Sequence, residues 1–380
     1  MAGIYIHIPF CVKKCDYCDF VSFESENTEK VWYVASLKYE IILASKEYQE
    51  KTYNTIFIGG GTPSTLPLGA VAEIINTIRT HFKISQSPEI SIEVNPNTAS
   101  LEKLSEYYSA GVNRISIGLQ SANDDLLKSI GRVHSFSDFQ NTVTDAKKVG
   151  FTNINADIMY GLPNQKVQDY LDTIHAVVDF GVTHISAYSL ILEEGTRLFN
   201  AINKGEIALP DSETEYQMHS LGKELLIKHG YGRYEISNYA KAGYECRHNL
   251  NYWDLGEYVG VGLNSHSAML EGDSLTRFCN TSDLKGYYLK LQAGLLPIEN
   301  KEIIPKQEEM FEFFMMGLRK TNGILISEFQ NRFSISPFEV FLDAMNSNAK
   351  KGFLCYDNNA IWLNDSGLDF QNQVLADFLE

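Results

Sequence analysis

Half of the six cysteines in this 380-residue chain, Cys11, Cys15 and Cys18, fall within the single stretch CVKKCDYCDF. Thiolates are soft ligands suited to zinc or iron-sulfur clusters, and C-x3-C-x2-C on one short loop lets three sulfurs converge on a compact centre. A structural zinc site is normally closed by four ligands. No His or Cys follows Cys18 closely enough to supply the fourth, and His7 sits in an alternating segment where it reads as a strand side chain. Three ligands would leave one iron of a 4Fe-4S cube open, and an open metal position is where a substrate or cofactor can coordinate. Cys246, Cys279 and Cys355 are scattered singly, unlike the dense spacing of a disulfide scaffold, and read as reduced thiols or metal ligands. A thioredoxin-like reading of Cys15-x-x-Cys18 would leave Cys11 unused.

A repeated rhythm positions the cysteine loop. The segments Gly111-Val-Asn-Arg-Ile-Ser-Ile117, Gly150-Phe-Thr-Asn-Ile-Asn-Ala156 and Gly181-Val-Thr-His-Ile-Ser-Ala187 each follow a helical pattern. Before the second of them, Phe139, Val143 and Ala146 share one helical face, Ser137 and Gln140 fit a capping box, Lys147 and Lys148 suit the helix C-terminus, and Gly150 can take the left-handed stop. With IYIHIP, TIFIGGG and EISIEVNP, six strands are predicted to start near residues 4, 55, 89, 114, 153 and 184. Alternating β and α units require parallel strands with crossover helices, as a barrel or as an open doubly wound sheet. Such folds carry their sites at the carboxyl ends of the strands. Gly59, Gly60, Gly61 and Thr62 close the second strand, Glu93 the third, Gln120 the fourth, Asp157 the fifth and Tyr188 the sixth, so these residues are expected at one mouth. GGGTP lacks the Lys and Ser/Thr of a P-loop and does not match G-x-G-x-x-G, which removes a nucleotide-phosphate reading. Its glycines let backbone approach a ligand closely.

Residues 1–205 thus form an α/β core. Residues 206–300, with GYGRYEISNYA and GEYVGVGLNSHS, read as an irregular extension. Residues 301–380 restart as a small helix-rich module: EEMFEFFMMGLRKTNG is an apolar helix ended by Gly323, and a hairpin is expected around GFLCYDNNAIWLN. A net charge of −16 without a long basic run disfavours a nucleic-acid partner. An apolar content of 44% argues for a globular chain. With no leader pattern and no apolar run of about 18 residues, the expectation is a cytoplasmic protein whose membrane contact, at the inner face, would be peripheral.

C-x3-C-x2-C after the first strand, followed by GGGTP after the second, resembles the radical S-adenosylmethionine superfamily. The resemblance implies a partial (β/α)6 TIM-like barrel and a 4Fe-4S cluster whose open iron binds S-adenosylmethionine, which is cleaved to a 5'-deoxyadenosyl radical. YIHIPFC, GGGTPS, IEVNP, RISIGLQS, Gly131-Arg132, ADIMYGLP and YSLILEEGT resemble the branch holding the oxygen-independent coproporphyrinogen III dehydrogenases (HemN) and the related HemW heme chaperones, over nearly the whole chain. Carried over by motif, Cys11, Cys15 and Cys18 would hold the cluster. Tyr5, Tyr17, Gly60, Gly61, Thr62, Glu93, Gln120, Arg132 and Asp157 would line the S-adenosylmethionine site, with Arg132 on the carboxylate, Glu93 or Asp157 on ribose or amine, and Tyr17 against adenine.

Two features separate the branches. The dehydrogenases resemble C-x3-C-x2-C-x-C, whereas Phe20 stands at the fourth position here, and their additional N-terminal segment has no room ahead of Cys11. HNLNYW, residues 248–253 in the extension, resembles the heme-binding signature of HemW proteins, which deliver heme to respiratory enzymes. The resemblance therefore implies heme bound by His248, Asn249, Tyr252 and Trp253. A neutral imidazole suits heme iron and the two rings offer flat apolar surface, although on residue types alone such a His is more often a core residue. Cys246 is an alternative ligand and His266 a weaker candidate. The implied partner is a heme-accepting respiratory or other membrane protein. The alternative activity is radical oxidative decarboxylation of coproporphyrinogen III propionates, which the two departures disfavour.

Overall fold

The computed structural model describes residues 1–379. The expected alternation is present: β1 (Ala2–Ile8), α1 (Asn27–Tyr48), β2 (Thr52–Gly60), α2 (Ala70–His81), β3 (Lys83–Val94), α3 (Leu101–Ala110), β4 (Arg114–Gln120), α4 (Asp124–Ser129), α5 (Phe136–Val149), β5 (Asn153–Tyr160), α6 (Val167–Asp179) and β6 (His184–Ser189). Consecutive strands pair in parallel, with Tyr5 opposite Phe57, Ile58 opposite Ile92, Glu93 opposite Ser116 and Ala156 opposite Ile185. Ile58, Ile92, Ile117 and Ile185 are buried with Ile74 of α2, Leu104 of α3 and Ile174 of α6 in one core. Each such side chain contributes about 1.5–3 kcal/mol relative to exposure.

Gly111 and Gly150 end α3 and α5 in the left-handed region at φ 94° and 118°, as the sequence rhythm predicts. The capping box of α5 differs from the expectation. It is formed by Ser135 and Asp138, not by Ser137 and Gln140: Ser135 Oγ accepts from Asp138 N at 3.3 Å, and Asp138 Oδ2 accepts from Ser135 N at 2.7 Å. A carboxylate is a stronger acceptor than an amide and suits the positive end of the helix, so the earlier start wins.

Residues 206–300 are more regular than expected. After α7 (Arg197–Asn203) and α8 (Ser212–Lys228) come β7 (Gly232–Arg233), β8 (Asn238–Ala240), α9 (Arg247–Trp253), β9 (Glu257–Val261), β10 (His266–Glu271), β11 (Ser274–Asn280) and β12 (Ile298–Ile303). These twelve strands form one sheet in the order β12-β11-β10-β9-β1-β2-β3-β4-β5-β6-β8-β7, so the parallel arc does not close. The glycines of GEYVGVGL, in the stretch expected to be irregular, serve close approach. A Cβ at Gly260 would collide with the His266 backbone, and one at Gly262, at φ 104°, with the His7 carbonyl. Buried Glu40 of α1 ties this region to the core by accepting from Gly262 N (2.8 Å), Asn280 Nδ2 (2.5 Å) and Tyr287 Oη (2.6 Å).

The C-terminal residues gather round a second core that includes Phe313, Phe314, Phe329, Met345, Leu354 and Val374. The first helix there ends at Gly317 rather than running to Gly323, which forms the following turn at φ 63°. The expected hairpin is present, with Leu354–Tyr356 antiparallel to Ala360–Leu363. Asp369 fastens this module to α8 and β7, accepting from His219 Nε2 (3.0 Å), Lys223 Nζ (3.0 Å) and Arg233 Nη1 (2.9 Å). Burial opposes its ionisation, but these three hydrogen bonds prevail and hold the carboxyl below its usual range. Asp369→Asn leaves two buried cations uncompensated and should cost about 3 kcal/mol in urea unfolding. Unchanged stability would show that the contact contributes nothing.

Candidate functional site

The cysteine loop leaves β1 through buried Phe10, whose ring meets Phe23 and Tyr33 edge-on at 5.6 and 5.2 Å. The loop is held at its middle, where Asp16 N donates to Ile130 O (3.1 Å) and Asp16 O accepts from Leu198 N (2.8 Å). A side chain at Gly131, at φ 78°, would strike the Asp16 carboxylate, so glycine there lets the loop pack down. Cys11, Cys15 and Cys18 all line one cavity of about 410 Å³, a size that suits a small ligand. Among the described residues no three His, Cys, Asp or Glu gather tightly enough for a single metal ion. The three thiols share a cavity rather than a point, which fits a multi-iron cluster better than a lone ion. Gly61 supplies room beside them, since a Cβ there would lie 3.1 Å from Cys11 Sγ and 2.9 Å from Phe10 O. Burial raises the Cys18 thiol, and the neighbouring Cys15 and Cys11 raise it further, against a backbone hydrogen bond from Phe20 that lowers it.

Tyr17, Gly60, Gly61, Thr62, Glu93, Gln120, Arg132 and Asp157 line the same cavity. Thr62 Oγ1 is 3.6 Å from Cys11 Sγ, and Arg132 Nη1 is 3.5 Å from Cys15 Sγ. Arg132 Nη2 donates to Asn95 Oδ1 (2.8 Å) and to Gly118 O, while its buried Nε has no partner. Glu93 accepts from Gly60 N at 3.1 Å. Burial first, then the Asp157 charge, push its carboxyl up to about 8. Asp157 is also raised by burial, although Asn155 Nδ2 (2.7 Å) and Ser116 Oγ (3.3 Å) donate to it. Gln120 takes a left-handed φ of 72° where the β4–β5 register shifts, and its Oε1 accepts from Tyr188 Oη at 3.0 Å. Such a conformation in a residue other than glycine is held by its surroundings.

Tyr5 does not join this group. It is not among the lining residues, stacks on Phe57 at 6.3 Å, and its hydroxyl meets His7 Nδ1 at 3.1 Å. Asn95, Ser116 and Gly118 are lining residues that motif reading did not single out. Strand alternation contains the signal: Ser116, Gly118 and Gln120 occupy every second position of β4 and so share a face.

The HNLNYW segment lies elsewhere, on α9 at the amino ends of β1 and β2. Glu89, near the middle of β3, accepts from Arg247 N (2.9 Å) and His248 N (3.0 Å) and so pins the start of α9. His248 is 1% exposed, with Nδ1 on Thr55 Oγ1 (2.7 Å), Nε2 on Tyr252 Oη (2.9 Å) and its ring stacked on Phe57 at 5.2 Å. Burial, then Arg114, lower it to about 3, so the imidazole is neutral. Both ring nitrogens are engaged, and neither faces the cavity. Asn249 and Trp253 are half-buried, and the Arg319 guanidinium lies 5.0 Å over the Trp253 ring. Cys246 is fully buried and its thiol is pushed up to about 12, chiefly by burial, so it is no ready thiolate ligand. His266 is exposed at the start of β10. A hydrogen-bonded chain links the two regions: Asn155 bonds Asp157 and meets His184 Nδ1 (2.6 Å), His184 Nε2 meets Tyr234 Oη (2.8 Å), and that hydroxyl accepts from Cys246 N (3.2 Å).

An open parallel α/β arc with three thiols at its carboxyl mouth defines a radical S-adenosylmethionine protein, and the profile of the Radical SAM superfamily matches residues 5–177. The HemN C-terminal domain profile matches residues 304–370. The chain is 35% identical over its full length to the heme chaperone HemW of Bacillus subtilis (strain 168), covering 99% of that protein. It is 33% identical to the heme chaperone HemW of Escherichia coli (strain K12), covering 99% of this chain and 98% of that one. The chain belongs to the HemW family. Its fold is also that of the E. coli coproporphyrinogen III oxidase HemN, at a TM-score of 0.86 and 21% identity over 99% of this chain and 89% of that one. Membership of the radical SAM superfamily implies a 4Fe-4S cluster and S-adenosylmethionine. No helix is long and apolar enough to cross a membrane.

A cation entering this cavity favours ionised Glu93, so its binding must release the proton that burial retains below about pH 8. S-adenosylmethionine affinity should therefore rise with pH toward 8, by up to about tenfold per unit, and level off above it. Glu93→Gln should flatten that profile in calorimetric titrations. A wild-type profile that is already flat would remove Glu93 from the ligand's contacts.

Proposed function

We propose that this protein is a heme chaperone that holds a 4Fe-4S cluster on Cys11, Cys15 and Cys18, binds S-adenosylmethionine beside it, and passes heme to a membrane-bound respiratory acceptor. The observation that carries the reading is the full-length similarity to proteins named heme chaperones, combined with one cavity lined by the three thiols and eight of the nine residues expected for the cofactor. When bound, the cluster supplies an electron for reductive cleavage of S-adenosylmethionine. The chain's own residues do the rest. Arg132, with its unpartnered Nε, pairs with the amino-acid carboxylate, while Glu93 and Asp157 accept from amine or ribose donors. Tyr17 provides an aromatic wall for adenine, and the Gly60-Gly61-Thr62 turn admits the ligand against backbone. Phe20 at the mouth is 66% exposed and lies where a fourth cysteine would continue the dehydrogenase pattern, which supports the chaperone reading over decarboxylation.

Heme would be taken by α9, with His248 supplying an imidazole to the iron and Asn249, Tyr252 and Trp253 contacting the porphyrin. Because His248 is bonded through both nitrogens, ligation requires the ring to leave Thr55 or Tyr252. Heme loading should therefore loosen the start of α9 and its bonds to Glu89.

Changing Cys11, Cys15 or Cys18 to Ala should abolish the charge-transfer absorbance of the reconstituted cluster, while Cys279→Ala and Cys355→Ala keep it. Iron content equal to wild type in all three loop variants would sink the cluster assignment. Hemin titration should give a saturable Soret shift that His248→Ala weakens at least tenfold, on the order of 1.4 kcal/mol. Amide exchange across residues 246–253 should quicken on loading. Equal binding by wild type and His248→Ala, with unchanged exchange, would move heme away from α9.

A further inference from the structure

Asn95 directly follows β3 and joins two arms that reach the cysteine loop. Its Oδ1 accepts from Arg132 Nη2 at 2.8 Å, and its Nδ2 donates to Thr62 Oγ1 at 3.0 Å. Each arm then ends on a different sulfur: Thr62 Oγ1 donates to Cys11 Sγ at 3.6 Å, and Arg132 Nη1 donates to Cys15 Sγ at 3.5 Å. A closed ring of hydrogen bonds fixes the Asn95 backbone. Asn95 N donates to Ser64 Oγ (3.1 Å), Ser64 Oγ and Thr98 Oγ1 are 2.6 Å apart, and Thr98 Oγ1 donates to Asn95 O (3.0 Å). Gly118 leaves room for the two side chains, since a Cβ there would lie 3.2 Å from Asn95 Oδ1 and 2.9 Å from Arg132 Nη2.

The direction of these bonds follows from which groups can donate. A guanidinium has no acceptor, so the atom of Asn95 that faces Arg132 must be its carbonyl oxygen, and the amide NH2 is thereby turned to Thr62. That NH2 can only donate, which commits Thr62 Oγ1 as its acceptor and leaves the single hydroxyl proton for Cys11 Sγ. Reversing the amide would set NH2 against the guanidinium and break the contact. Hydrogen bonds to the cysteine sulfurs of an iron-sulfur cluster favour its reduced, more negative state and so raise its reduction potential.

We propose that Asn95 is a positioning residue that aims the donors of Thr62 and Arg132 at Cys11 and Cys15 and thereby sets the reduction potential of the cluster those cysteines hold. The proposal rests on the cluster assignment made above. Cys18 lies outside the arrangement and is met by the Phe20 backbone instead. Arg132 Nε takes no part in it, so the donor assigned to the S-adenosylmethionine carboxylate is not used.

The test uses the anaerobically reconstituted full chain without S-adenosylmethionine, as wild type, Asn95→Ala, Thr62→Val, Thr62→Ser and the double variant of Asn95→Ala with Thr62→Val. Circular dichroism and iron content verify folding and loading, and a dithionite titration followed by the EPR signal of the reduced cluster gives each midpoint potential. In Asn95→Ala and in Thr62→Val the ratio of reduced to oxidised cluster at a fixed potential should fall about tenfold, a lowering of about 59 mV for a one-electron couple. Thr62→Ser should keep the wild-type potential. The double variant should shift by less than the sum of the two single changes, because the Asn95 amide acts partly through the Thr62 hydroxyl. A wild-type potential in loaded Asn95→Ala or in loaded Thr62→Val overturns the proposal. So does a rise, which is what water admitted to the vacated space would produce. If Asn95→Ala is folded but takes up no cluster, Thr62→Val decides by the same outcomes. A wild type that binds no iron removes the cluster assignment and this proposal with it, a result distinct from a loaded variant of unchanged potential.

Discussion

The interior of the parallel arc depends on one buried guanidinium. Arg114 opens β4 and is 2% exposed. Burial works against its charge, but the carboxylates of Glu89 and Asp157 supply negative potential that offsets this. Glu89 and Asp157 belong to different strands and to different tasks, one capping α9 and the other lining the cavity. Neither forms an ion pair with the guanidinium; Glu89 is held by Arg247 N and His248 N, and Asp157 by Asn155 Nδ2 and Ser116 Oγ, with Arg114 acting on both through space. A parallel sheet buried on both faces ordinarily reads as continuous apolar sequence. Here the inward face carries Glu89, Ser91 and Glu93 on β3, and Asn155 and Asp157 on β5, and hydrogen bonds to the two glutamates and between the β5 pair help make that tolerable.

The balance within that interior is uneven, with Glu93, Asp157 and Glu89 facing Arg114 and neutral His184, which burial keeps far below its usual range. Burial raises Glu93 first, and the deficit of positive charge at the cavity end adds to it through Asp157. It also explains why the mouth is disposed to a ligand bearing cationic groups, with Arg132 set apart to meet an anionic one. The hydrogen-bonded chain through Asn155, His184 and Tyr234 means that the cavity floor and the base of α9 are parts of one polar core.

Much of this was legible from residue order. Helix stops at Gly111 and Gly150 and strand starts at Arg114 and Asn153 follow from local rules, because a left-handed glycine and a period-2 apolar run act within a few residues. The cysteine loop and the carboxyl-end polar residues were legible for the same reason, combined with the rule that parallel strands share an exit face. What local pattern could not supply was long-range. That β9 lies beside β1, with Gly260 opposite Tyr5, depends on an approach across some 250 residues of chain. Tyr5, expected at the cofactor by motif, packs instead on Phe57 and His7 and does not line the cavity. His248 carries the right chemistry for iron, but its two hydrogen bonds come from Thr55, far away in sequence, and from Tyr252 one turn on.

The open arc has a colloidal consequence. An unclosed six-stranded parallel sheet would present two unsatisfied backbone edges, each a template for another chain. Here β9 covers the outer side of β1, and β8 covers that of β6. The terminal strands that remain are poor templates: β7 is two residues long, and β12, reading IENKEI, displays Glu299, Lys301 and Glu302 to solvent. The molecule thus leaves its parallel arc unclosed without ending the sheet in a long apolar edge.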